Sequence, residues 1–231
     1  MAHSLDITTG ARFALMSVAL MGMLFSASAA RAEDGSSEDD EARDSRIERG
    51  FDVAPVSLNL HGKNRALVGL GSYLVNVTSD CNGCHSAGPE TEYVFGGIPY
   101  FRGQAVKAVN PGTYLGGGRS FGRLAGPNSP EIVSRNLTPN KTGLAEGGRS
   151  FAEFLKIFRT GVDLDKAHPN CSPTRTTNCF PPPWDGTRLQ VMPWPQYQDL
   201  TTHDIRAIYE YLSAIPCIGG PPSGILHNDC R

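Results

Sequence analysis

Residues 80–86 read DCNGCHS, two cysteines three positions apart with a histidine directly behind the second. Such a triplet can open a zinc clip, a redox dithiol or a haem anchor. Structural zinc takes four ligands, usually from two separated pairs. The chain has no second CxxC and no HxxxH, and adjacent Cys84 and His85 are hard to aim at one small ion. A thioredoxin-like dithiol belongs beside a βαβ pattern. This motif instead follows a helical run and precedes a glycine-rich stretch. Thiols at i and i+3 can each form a thioether with a haem vinyl group, leaving the next residue, His85, under the iron. C-x-x-C-H in an exported chain is the c-type attachment pattern, and Cys81, Cys84 and His85 are read as one.

A haem so held needs a second axial ligand if it is to be closed to substrates. The methionines are Met1, Met16, Met21, Met23 and Met192. Four lie in the first 32 residues, where an apolar run, FALMSVALMGMLFSASAA, ends in small residues that suit signal-peptidase cleavage. Residues 1–32 therefore read as a signal peptide, and Met192 is the one methionine left in the mature chain. It sits in VMPWP, where Pro193 disfavours helix at Met192 and keeps the loop extended. The competing ligands are His61, His168, His203 and His227, with His168 next in rank because its loop could lie over a haem face.

Export also governs the other cysteines. Cys171, Cys179, Cys217 and Cys230 meet an oxidising compartment, where disulfides are the default. The pairings 171–179 and 217–230 close the shortest loops and are expected. The mature chain carries a net charge of −3, with residues 33–50 holding eight acids against three arginines. That stretch is almost without apolar residues and reads as a disordered acidic lead. Residues 51–231, net +2, form the folded domain, and no basic patch points to nucleic acid. No later segment is apolar enough to span a bilayer, so the mature protein is expected in the periplasm.

Three helical patterns position these residues. Residues 63–80 carry apolar side chains at Ala66, Leu67, Leu70, Tyr73, Leu74 and Val77, helical spacing that runs into the cysteine motif. Gly69 and Gly71 weaken that helix, which implies close packing against another element. SFAEFLKIFRTG opens with a capping box, Ser150 and Glu153, and stops at Gly161. TTHDIRAIYEYLSAIP starts at Thr201 and Asp204, ends by Pro216, and faces Ile205, Ile208, Tyr209 and Leu212 inward. Residues 86–149 hold thirteen glycines and no helical period, a long stretch of turns and short extended pieces.

CNGCH, SRNLTPNKTGL, SFAEFLKIFRTG and VMPWPQYQDLTTHDIRAIYEYLSAIP together resemble, in order, blocks of the bacterial single-haem c-type cytochromes of class I, most of all the cytochrome subunits that serve periplasmic dehydrogenases. The resemblance runs from about residue 63 to 216. It implies an all-α cytochrome c fold with long Gly/Pro-rich loops and short β-hairpins. It implies one covalent haem c on Cys81 and Cys84, with His85 proximal and Met192 distal. The first helix, with Gly69 and Tyr73, would cross the last near Tyr209 and Leu212. Asn136, Thr138 and Trp194 would wrap the haem edge, and a proline carbonyl (Pro89, Pro99 or Pro111) would orient His85. The implied activity is electron transfer between a periplasmic dehydrogenase and a downstream cytochrome or oxidase, not catalysis. The alternative is a haem subunit of a catalytic complex, or a haem enzyme with a labile sixth ligand. The 107 positions between His85 and Met192 exceed the spacing of minimal cytochromes, and the two disulfides lie outside the general pattern.

Overall fold

Where the chain starts and stops its longer helices is decided by local chemistry. The computed structural model describes residues 35–104, 107–220 and 226–231, so the signal peptide expected at 1–32 lies outside the described residues. Helix α1 spans Gly35–Val53 and α2 spans Arg65–Tyr73, capped by the Asn64 side chain, which accepts from Leu67 N. A π-helical turn, Leu74–Thr78, carries α2 on toward α3, Cys81–Cys84. The short α4 (Pro89–Glu92) and α5 (Ala145–Gly148) bracket the glycine-rich region. Helix α6, Phe151–Thr160, has both halves of the expected capping box, and Gly161 closes it in the left-handed region. Helix α7 is Trp194–Tyr197, and α8 is Thr202–Leu212, with Thr201 accepting from Asp204 N.

The all-α cytochrome c fold expected from the sequence is not met. Beside its helices the described part of the chain carries a two-stranded antiparallel sheet, and most of the described residues are irregular, so it fits no single class cleanly. Among the described residues four of the eight α-helices are single turns of four residues. The cause is composition: 26 glycines and 17 prolines interrupt helix propagation. The sheet pairs β1 (Ser120–Arg123) with β2 (Glu131–Val133), Ser120 opposite Val133 and Arg123 opposite Glu131.

The acidic stretch expected to be a disordered lead is also corrected: it is helical from residue 35 onward. Its C-terminal half is anchored by packing. A side chain on Gly50 would fall 1.8 Å from Gly69 O, and one on Gly69 would fall 2.7 Å from Ile47 O. Backbones in such contact hold a helix that composition alone would leave unfolded. The Ser72 hydroxyl adds a buried hydrogen bond to Gly50 O at 2.6 Å.

Helices α2 and α8 cross through the second glycine. A Cβ on Gly71 would lie 1.9 Å from Ala207 O and 2.8 Å from Tyr211 Cβ. The contact is thus Gly71 on Ala207 and Tyr211, while Gly69 serves α1. The buried face of α2 is Val68, Leu70 and Ser72, continued by Val75, and Val77 is exposed. Within α2 the close glycine contacts, Gly69 on Ile47 and Gly71 on Ala207, decide the buried face rather than the apolar stripe, and the π-helical turn rotates only the residues beyond it, leaving Val77 outside. Val68 and Val75 join Phe154, Phe158, Ile205, Ile208, Tyr211 and Leu212 in the main core.

Candidate functional site

The CxxCH triplet is held in a turn of helix. His85 N donates to Cys81 O at 2.8 Å, and Cys81 and Cys84 are free cysteines. Burial in apolar surroundings pushes the Cys81 thiol up to about 12, with the Asp80 charge adding to it. A redox nucleophile or zinc thiolate needs the opposite shift.

His85 is oriented by backbone. Its Nδ1 lies 2.8 Å from Arg135 O. A carbonyl only accepts, so Nδ1 carries the proton and Nε2 keeps its lone pair. Burial, the largest influence, lowers the His85 pKa and keeps the imidazole neutral, as a metal ligand must be. The orienting carbonyl is therefore that of Arg135, not of Pro89, Pro99 or Pro111. A hairpin-like return of the glycine-rich stretch brings it there. Gly117 N donates to His85 O at 2.7 Å, and Gly117, at φ +74, lies so close that a Cβ would sit 2.5 Å from Arg135 O.

Arg135 is fixed at both ends. Its guanidinium pairs with Asp163 at 2.5 Å and also with Asp165, which in turn pairs with Arg149. The Asp163 side chain is fully buried. Burial alone would raise its pKa, but hydrogen bonding from His168 and the Arg135 charge outweigh that and hold it low. His168 Nδ1 faces Asp163 at 3.7 Å, so the histidine that ranked second as axial ligand is tied into this network. Sequence reasoning missed Arg135, Asp163 and Asp165. The available signal was an Arg inside SRNLTP and a DLD triplet, neither of which reveals its partner.

Met192 is brought to the site by the end of α6. Leu189 N donates to Gly161 O at 2.7 Å, and Trp194 N to Met192 O at 2.8 Å. The Trp194 indole lies flat on Gly161, where a Cβ would be 2.2 Å from the ring, and its Nε1 donates to Leu189 O at 3.1 Å. Trp194 thus braces the 189–193 segment and does not itself line the cavity.

Cys81, Cys84, His85 and Met192 all line one cavity of about 1230 Å³ of empty space, part of it open to solvent. Phe121, Ile132, Leu137, Phe154, Phe158 and Ile208 make its walls largely apolar, and Arg135 and Glu146 add charge at one edge. Glu146 is pushed up in pKa by burial, against the pull of Arg135 and Arg149. Asn136 and Thr138, expected at the haem edge, are not among the lining residues. Successive residues of extended backbone point to opposite sides. Arg135 and Leu137 face the cavity, while Asn136 donates to Ile218 O and Thr138 O accepts from Asn228.

The donor set fits a covalently attached haem. Two free thiols on one turn, an imidazole with Nε2 free and a thioether share an apolar chamber. Among the described residues no cluster of three or more His, Cys, Asp or Glu forms an alternative metal site. Both expected disulfides, Cys171–Cys179 and Cys217–Cys230, are formed. No helix of the described residues is long and apolar enough to cross a membrane. Comparison with protein-family models, curated proteins and solved structures gave no match.

Proposed function

We propose that this chain is an exported electron carrier with one covalent haem c, held by thioethers to Cys81 and Cys84 and ligated by His85 and Met192. The observation that carries the reading is the convergence of the CxxCH turn and Met192 on one apolar cavity across 107 positions of sequence. A bound haem supplies one-electron redox chemistry at iron. The chain's residues supply the rest. Arg135 O holds the His85 ring with Nε2 outward and raises its basicity as a ligand. Trp194, Gly161 and Leu189 hold the Met192 loop, so that a weak thioether ligand has little entropy left to lose. The apolar walls limit the water around the site, and a Met/His pair would raise the reduction potential.

With His85 and Met192 both serving as ligands, a haem held here would keep no open position, which favours transfer of single electrons over transformation of a substrate. The partners are then redox proteins, a periplasmic dehydrogenase as donor and a cytochrome or oxidase as acceptor. Spectroelectrochemistry of the purified protein tests this. One reversible one-electron transition, with no carbon monoxide binding to the native ferrous form, is expected. Strong carbon monoxide binding by the native protein would turn the reading toward a haem enzyme with a labile sixth ligand.

A further inference from the structure

Glu146 stands in the wall between two cavities. It lines the apolar cavity that holds Cys81, Cys84, His85 and Met192. It also lines a second, polar cavity of about 940 Å³ of empty space, part of it open to solvent, with Arg149, Asp165 and Asn228. Backbone fixes its place: Glu146 N donates to Leu137 O and Gly147 N to Thr138 O, both at 3.1 Å. Glu146 has φ +48, a left-handed conformation for which glycine is the default residue, and glycines occupy the next two positions. A side chain kept in such a place points to a use for it.

The charges around it do not cancel. Arg135, which lines both cavities, pairs with Asp163 and Asp165, and Arg149 pairs with Asp165. Two cations thus meet two aspartates, and among the described residues neither arginine forms an ion pair with Glu146. His168 faces Asp163, and His227 lines the second cavity. Glu153 of α6 adds a further negative charge, held by the Ser150 amide and hydroxyl. Helix α8 brings only the apolar Ile208 and Leu212 to the first cavity, whose other carboxyl is Asp80, beside Cys81. Glu146 is therefore the carboxyl of this cluster that has no cation of its own, and burial already favours its protonated form.

We propose that Glu146 takes up a proton from the second cavity when the chain accepts an electron and releases it when the electron leaves, so that the protein carries both together. The proposal rests on the haem reading above. One electron is gained at the bound haem and one proton, drawn from water, by the Glu146 carboxylate, which leaves the net charge of the site unchanged. At a separation of about 10 Å and an effective dielectric near ~20, one added electron raises the proton affinity of a carboxylate on the order of tenfold. The test is the midpoint potential of the haem-loaded protein across the acid and neutral pH range. It should fall by about 59 mV in all as pH rises, the equivalent of that tenfold change. A carboxylate favours the oxidised state, so Glu146→Gln should stay on the acid plateau of the unaltered protein at every pH. Glu146→Asp, which tolerates left-handed backbone, should restore the fall. Redox-difference infrared spectra should show a protonated carboxyl appearing on reduction, and none in Glu146→Gln. A potential independent of pH would overturn the proposal and leave the haem reading standing. A fall that persists in Glu146→Gln would also overturn it, since another group would then hold the proton. Protein recovered without covalent haem would end the haem reading and this proposal with it.

Discussion

Replacing Gly117 by alanine isolates the contact that orients the proximal histidine. The Cβ would stand 2.5 Å from both C and O of Arg135, against 3.4 Å for ordinary contact, so that peptide must yield by about 0.9 Å. The Arg135 carbonyl accepts from His85 Nδ1 at 2.8 Å. A displacement of that size breaks the bond, a net loss of about 1 kcal/mol. Alanine at φ +74 adds about 1–2 kcal/mol of backbone strain. Gly122 provides the control: it has φ +72 and nothing within 4 Å of its would-be Cβ, so Gly122→Ala carries the strain alone. Denaturant unfolding should give a loss about 1 kcal/mol larger for Gly117→Ala than for Gly122→Ala. The haem potential should rise in the first variant only, because His85 loses basicity with its acceptor. Equal stability losses with unchanged potentials in both variants would refute the role given to this carbonyl.

The same geometry yields further expected outcomes. Met192→Ala should lower the potential, remove the weak far-red band that the cytochromes it resembles show with Met-ligated ferric haem, and admit carbon monoxide; retention of band and potential would redirect attention to His168. Arg135→Met takes the guanidinium from the buried Asp163, leaving it only His168 and two backbone amides, and should cost up to about 3–5 kcal/mol in denaturant unfolding. Because the Asp163 pKa is depressed in the fold, its contribution is present above about pH 4 and is lost as pH falls below that; Asp163→Asn should flatten this acid limb of a stability–pH curve. Opening the Cys171–Cys179 or Cys217–Cys230 bridge by paired serine substitution should cost about 2.5 and 3 kcal/mol, from sequence separations of 8 and 13, read as a drop in thermal midpoint.

What was legible in the sequence was short-range. The capping box at Ser150 and Glu153, the stop at Gly161, the start of α8 at Thr201 and both local disulfides depend on residues a few positions apart, and all are present. The CxxCH turn is equally local. Met192 could be singled out because no other methionine comes after residue 23. The features that escaped depend on partners distant in sequence. The acceptor for His85 is 50 residues away and is a backbone atom, which leaves no trace in side-chain identity. The Arg135–Asp163–Asp165 cluster is likewise made of residues ordinary on any surface. Helix α1 escaped because glycine contacts with α2, not an apolar stripe, hold it. The fold class failed for a related reason: resemblance of four blocks says nothing of the glycine-rich chain between them, and that chain makes the sheet and much of the irregular structure.

The central claim is that Cys81 and Cys84 hold a haem, and intact mass spectrometry under denaturing conditions tests it most directly. Protein produced in a host with cytochrome c maturation should carry the mass of one haem, retained through denaturation and mapped by digestion to the peptide containing residues 81–85. A chain of unmodified mass, with Cys81 and Cys84 recovered as free thiols or joined in a disulfide, would contradict the account.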